Sequence, residues 1–131
     1  HRDREPGRAV QVARGALELF GERGLAACFA EAAAIVSGAA NGFGITLDLD
    51  AFDPVAAPGV GSPEPEGLPA CEVRDGLQRL AASGGLRALE IVEYNPDRDR
   101  HGITARLISD VIGDLLPQIE NRRPAASQSR H

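Results

Sequence analysis

Methionine, tryptophan and lysine are absent from this chain of 131 residues, and tyrosine occurs once. Without methionine the chain does not begin at its own start codon, so the expectation is a processed protein or a piece of a longer one. With aromatics at 4%, any core must be built mainly from Leu, Val, Ile and Ala. All 14 cations are arginine, which reads as a compositional bias of the source. The net charge of −5 excludes an ordinary nucleic-acid surface, which needs clustered basic residues. Apolar runs stay far below a membrane span, and no signal peptide opens the chain. The two cysteines, Cys28 and Cys71, have no C-x-x-C spacing. They read as two buried, reduced thiols of a cytoplasmic protein.

What remains is the material of one modest domain. The hydrophobic fraction is 43% and the charged fraction 25%, an ordinary globular balance. Residues 1–7 and 118–131 read as disordered ends around a domain at 8–117. Residues 8–20 fit either a short helix or, over 16–20, a strand. GERG at 21–24 reads as a turn. An Ala-rich helix is predicted over 25–38, stopped by Gly38. FGITLDLD predicts a strand over 43–50. Residues 54–69 hold five prolines, three glycines and two acids, so they form a long loop. A helix follows over 70–83, with Val73, Leu77 and Leu80 on one face, ended by Gly84 and Gly85. Residues 86–93 predict a strand running into the Asn95-Pro96 turn. A last helix is predicted over 101–116, closed by Pro117. Alternating helices and strands at this spacing give an α/β fold: a parallel sheet with helices on both faces, a three-layer α/β/α arrangement present as a partial domain.

Ligands of such sheets bind at the carboxyl ends of the strands. Both predicted strands end there in acids: Asp48 and Asp50 on the first, Glu93 on the second. In an extended strand, residues i and i+2 share a face, so the two aspartates would point the same way. Two ionised carboxylates so close repel each other and call for a cation, and hard oxygen ligands suit Mg²⁺ or Mn²⁺. The plainer reading is that both have left the strand and cap loop backbone, and the D-L-D run alone weighs the two readings evenly. D-x-D also occurs in sugar-nucleotide transferases. An aspartate-nucleophile phosphatase would want Gly-Thr after the second acid, where Ala51 and Phe52 stand. A dinucleotide site at GVGSPEPEG fails, because the third glycine is misplaced and prolines forbid the helix that must follow.

The surrounding residues break the tie. TLDLDAFDPVAAPGVGSPEPEG, from Thr46 to Gly67, resembles the signature of the ureohydrolases: arginase, agmatinase, formimidoylglutamase and relatives. Thr46, Leu47, Asp48, Leu49, Asp50, Pro54, Pro58, Gly59 and Gly67 all stand at the spacing of that pattern. EIVEYNP, Glu90 to Pro96, resembles the family's E-V-N-P element. The stretch between resembles the family's helix after G-G-L, with Glu66 in place of the first glycine.

The resemblance implies a hydrolase of linear amidines or guanidines with two Mn²⁺ ions. Asp48 would bridge both ions and Asp50 would bind one. A water acidified by the two cations would be the nucleophile. Glu93 would pair with the cationic group of a small-molecule substrate. Asp53 would anchor the loop, and Gly59 and Gly61 would let its backbone approach closely. The intact enzyme would be a homo-oligomer, with no nucleic-acid or membrane partner. Within the family, EYNPDRDRHGITARL leans towards formimidoylglutamase, with Ile103 where that run has Arg; arginase and agmatinase are the alternatives. The family's other ligands, an earlier His and a D-A-H-x-D element, have no counterpart here. The histidines are His1, His101 and His131, and none sits in such a context. The expectation is therefore the C-terminal part of a ureohydrolase, inactive in isolation. A metal-free relative serving in assembly is the competing possibility.

Overall fold

The structure is a computed structural model, and it describes residues 24–63, 65 and 67–120. The readings of residues 1–23, 64, 66 and 121–131, including His1, His131 and most of the two ends, lie outside the described residues. Helix α1 spans Gly24–Val36, strand β1 Phe43–Asp48, helix α2 Ala70–Ala82, strand β2 Leu86–Val92 and helix α3 Ile103–Glu120. Single 3-10 turns lie at Leu49–Ala51, Pro96–Arg98 and Arg100–Gly102.

The two strands pair in parallel, with Thr46 opposite Glu90 and Asp48 opposite Val92. A parallel pair requires a crossover, and here the loop and α2 supply it. Alternation along the strands sends Ile45 and Leu47 of β1, with Leu89 and Ile91 of β2, to the core. Thr46 and Glu90 are exposed, with the Thr46 hydroxyl donating to Glu90 Oε1 at 3.5 Å. The core joins Phe29 of α1 and Leu77 and Leu80 of α2 to Leu107, Val111 and Leu115 of α3. Each such aliphatic side chain contributes roughly 1.5–3 kcal/mol on burial. Helix α1 lies close on α2 because position 76 is glycine: a Cβ there would stand 2.1 Å from the Phe29 ring. Arg74 of α2 ties to α3 through a two-pronged contact with Asp114, at 2.8 and 3.0 Å.

Several expectations need correction. Strand β1 ends at Asp48, because Asp48 turns the chain into the 3-10 turn at Leu49–Ala51. Pro117 does not close the last helix; α3 continues to Glu120, and Ile119 beyond the proline still packs against the core. That helix also starts later than residue 101, because His101 and Gly102 adopt φ of 57° and 67°, outside the right-handed helix. Cys28 is buried, and burial pushes its thiol pKa up, but Cys71 is exposed. Cys71 lies two residues from Val73, about 200° around the helix from the core stripe. The long loop is packed: Ala57, Val60 and Leu68 are buried within it. Among the described residues no helix is long and apolar enough to cross a membrane.

Candidate active site

The acids singled out in the sequence converge at one end of the sheet. Asp48 closes β1, and its ladder partner is Val92, the residue before Glu93. The Pro-Gly loop then returns across this end. Val60 forms an antiparallel bridge to Tyr94, and the Asn95 N–H donates to the Gly59 carbonyl at 2.7 Å. The loop segment Gly61–Ser62 lies between the two outer acids: the Ser62 N–H donates to Asp50 Oδ1 at 3.3 Å, and a Cβ on Gly61 would sit 3.9 Å from Glu93 Oε2.

Asp48 and Asp50 do not stand on one strand face as expected, since only Asp48 belongs to the strand. Asp48 Oδ1 accepts the Asp50 N–H at 2.9 Å and caps the 3-10 turn. The capping role and a metal role are compatible. Each aspartate uses Oδ1 for backbone, and among the described residues neither Oδ2 has a hydrogen-bond partner. Asp48 is exposed and Asp50 half-buried, so each aspartate keeps a hard oxygen donor without a described partner. That donor chemistry fits Mg²⁺ or Mn²⁺. It is an incomplete set: among the described residues no group of three or more His, Cys, Asp or Glu could hold a metal ion.

Glu93 has φ of 71°, in the left-handed region that a non-glycine residue enters at a cost of about 1–2 kcal/mol. It is exposed and follows the last residue of β2 directly. Strain of this kind at a strand end marks a position where surroundings override local preference. Asp53 accepts the Val55 N–H on Oδ1 at 3.0 Å, and its carbonyl accepts from Ala56 and Ala57, so it does anchor the loop. His101 is exposed beside the start of α3.

Three residues that matter here were not singled out in the sequence: Tyr94, Asp99 and Thr104. Thr104 is fully buried, and its Oγ1 accepts the Gly59 N–H at 2.7 Å. Asp99 accepts the N–H of Thr104 at 2.8 Å and of Ala105 at 2.9 Å, and the Tyr94 O–H at 2.8 Å. Burial works to raise the Asp99 pKa. Hydrogen bonds from those groups and from the Thr104 side chain outweigh it and hold the carboxyl below the ordinary aspartate range. The readable signal was an aspartate a few residues ahead of an apolar helical run, within reach of the helix's first free N–H groups.

A groove of 380 Å³ between α1 and α2, lined by Phe29, Ala33, Cys71 and Arg79 among others, contains none of the strand-end acids. The strand-end acids therefore lie outside this groove.

Comparison with known proteins identifies the family. The Arginase family model matches residues 3–117. An arginase of Brevibacillus brevis is 38% identical over 124 residues, covering 88% of this chain and 42% of the relative. A formimidoylglutamase of Cupriavidus pinatubonensis is 37% identical over 95 residues, 72% of this chain and 30% of the relative. The crystal structure of a hypothetical agmatinase from Burkholderia thailandensis superposes with a TM-score of 0.70 at 29% identity, over 81% of this chain and 33% of that one. The chain thus spans less than half the length of these relatives. The parallel α/β fold, the strand-end acids and the extent of the match lead to one conclusion: this chain belongs to the arginase family.

Proposed function

We propose that this chain supplies part of the active site of a manganese-dependent ureohydrolase, an enzyme that cleaves a C–N bond of a linear amidine or guanidine. The observation that carries the reading is the convergence of Asp48, Asp50 and Glu93 on one strand end, with Gly61–Ser62 between the outer two. Asp48 and Asp50 would hold the metal through their outward oxygens. A bound Mn²⁺ pair supplies Lewis acidity and an acidified water. The chain's own residues have other tasks. Glu93 carries a carboxylate at the loop, where a planar amidinium or guanidinium meets it with two parallel N–H donors. Pairing there fixes the electrophilic carbon relative to the aspartates, the positioning that makes attack effectively intramolecular. The Pro-Gly loop walls this end and holds Asp50 through Ser62.

For the substrate, the run from Glu93 to Leu107 favours an N-formimino amino acid, while matched relatives carry the names arginase and formimidoylglutamase. The enzyme would act as a homo-oligomer. The test uses this chain completed by the remaining ureohydrolase segment. It compares urea release from arginine and agmatine with formamide release from N-formimino-glutamate. Glu93→Gln is expected to lower kcat/KM by at least ~10²-fold with metal content unchanged. Loss of metal in Glu93→Gln would make Glu93 a ligand. Absence of turnover on every amidine and guanidine would refute the reading.

A further inference from the structure

We infer that Asp99 is a positioning residue for the Glu93 carboxylate, acting from the start of α3 through Tyr94, Thr104 and Gly59. The inference rests on the proposed function only for what Glu93 grips; the joint itself is a matter of geometry.

Glu93 lies beyond the β2 ladder and in the left-handed region, so something outside the strand must hold it there. Its C-terminal neighbours are held by a closed ring of contacts. The Tyr94 phenol donates to Asp99 Oδ2, and the next residue, Asn95, donates its N–H to the Gly59 carbonyl. Gly59 in turn donates its own N–H to the buried Thr104 hydroxyl oxygen. Thr104 closes the ring by donating its N–H to Asp99 Oδ1. Arg98 adds a strut from the same turn, donating to the Gly61 carbonyl at 3.0 Å, beside the Glu93 carboxylate.

A helix cap alone would need only the two backbone donors, Thr104 and Ala105. The phenol contact and the Thr104–Gly59 link exceed that need, and both lie on the Glu93 side. Asp99 is the member whose side chain meets both the helix start and Tyr94. Removing its charge should therefore release the turn that carries Glu93 while leaving the distant core intact.

The chain's single tyrosine, with no tryptophan, makes the experiment specific, because tyrosinate absorbance reports Tyr94 alone. In the 131-residue chain, Asp99→Asn is compared with wild type by absorbance titration and by ¹⁵N spectra. The expected result is that Tyr94 ionises at lower pH, since its raised pKa comes first from the Asp99 hydrogen bond. The Glu93 amide shifts and its three-bond coupling loses the left-handed value, while core amides of α1 stay in place. Tyr94→Phe, which leaves the cap untouched, should move the Glu93 amide as well, and it keeps the test valid if Asp99→Asn fails to fold. In the completed enzyme, Asp99→Asn should lower kcat/KM about tenfold, and far less when Glu93 is already Gln. An unmoved Glu93 amide in both variants, or additive losses in the double variant, would overturn the inference. If the spectra respond as expected but the completed enzyme turns over no amidine or guanidine, the functional reading fails and the positioning role stands.

Discussion

At residue 59 a single added methyl group would have nowhere to go. A Cβ would lie 2.8 Å from Asp99 Cβ, 3.0 Å from Thr104 Oγ1 and 3.1 Å from the Asn95 carbonyl oxygen. All three neighbours are already fixed by hydrogen bonds, the Asn95 carbonyl through the Arg98 N–H, so the strain cannot be shed into a loose side chain. Position 61 is different. The nearest atom to an added Cβ is 3.9 Å away, an ordinary contact, so the expected need for close backbone approach holds at Gly59 and not at Gly61. Gly59→Ala should therefore destabilise the chain by about 1–3 kcal/mol, the usual cost of overpacking. Gly61→Ala should change stability by less than about 0.5 kcal/mol. Urea unfolding midpoints of the two variants decide this, and equal midpoints would show that the loop at 59 can yield.

Among the elements, α3 depends most on a single charge. Its N-terminal donors, Thr104 and Ala105, are satisfied by the Asp99 carboxylate, whose pKa is depressed in the folded chain. The unfolded state therefore binds the proton more readily than the folded one. The stabilisation is complete above the ordinary aspartate pKa and shrinks as pH falls through it. It is gone below the depressed folded value. Asp99→Asn removes this contribution, so its unfolding midpoint should fall less steeply with acid than that of wild type. Parallel slopes in the two proteins would mean that Asp99 binds its proton equally in both states. The order of helices and strands from residue 24 was legible in the sequence, because period-2 alternation and the Val73–Leu77–Leu80 stripe are local patterns. What was not legible depends on distant partners. Pro117 stays helical because Ile119 finds the core, and the Asp99 ring needs Gly59, 40 residues upstream in the chain. The strand-end acids were readable as a group through the length of the ureohydrolase signature. Their individual geometry was not, since the turn at Leu49–Ala51 replaces the shared strand face.

At the scale of the molecule, the fold gathers chemistry at one sheet end without completing it. Two strands carry the acids, and the sheet presents Thr46 and Glu90 to solvent, where a doubly covered sheet would bury apolar side chains. Two carboxylate oxygens, one from each aspartate, would make at most a weak cation site, because affinity grows with the number of ligands and with their rigidity. Imidazole donors would be needed for tight Mn²⁺ binding, and among the described residues no group of three or more His, Cys, Asp or Glu could hold a metal ion; His101 is exposed just ahead of α3. The 131-residue chain alone should therefore bind Mn²⁺ only in the millimolar range or weaker, as followed by loss of the free-ion paramagnetic resonance signal. Asp48→Asn should weaken even that, and no amidine or guanidine should be hydrolysed at any Mn²⁺ concentration. Tight binding, or turnover abolished by Asp48→Asn, would mean that this chain carries a whole metal centre and that residues outside the described range supply its missing ligands. Weak binding that tightens when the remaining ureohydrolase segment is joined would locate the imidazole half there and leave Asp48 and Asp50 as the carboxylate half.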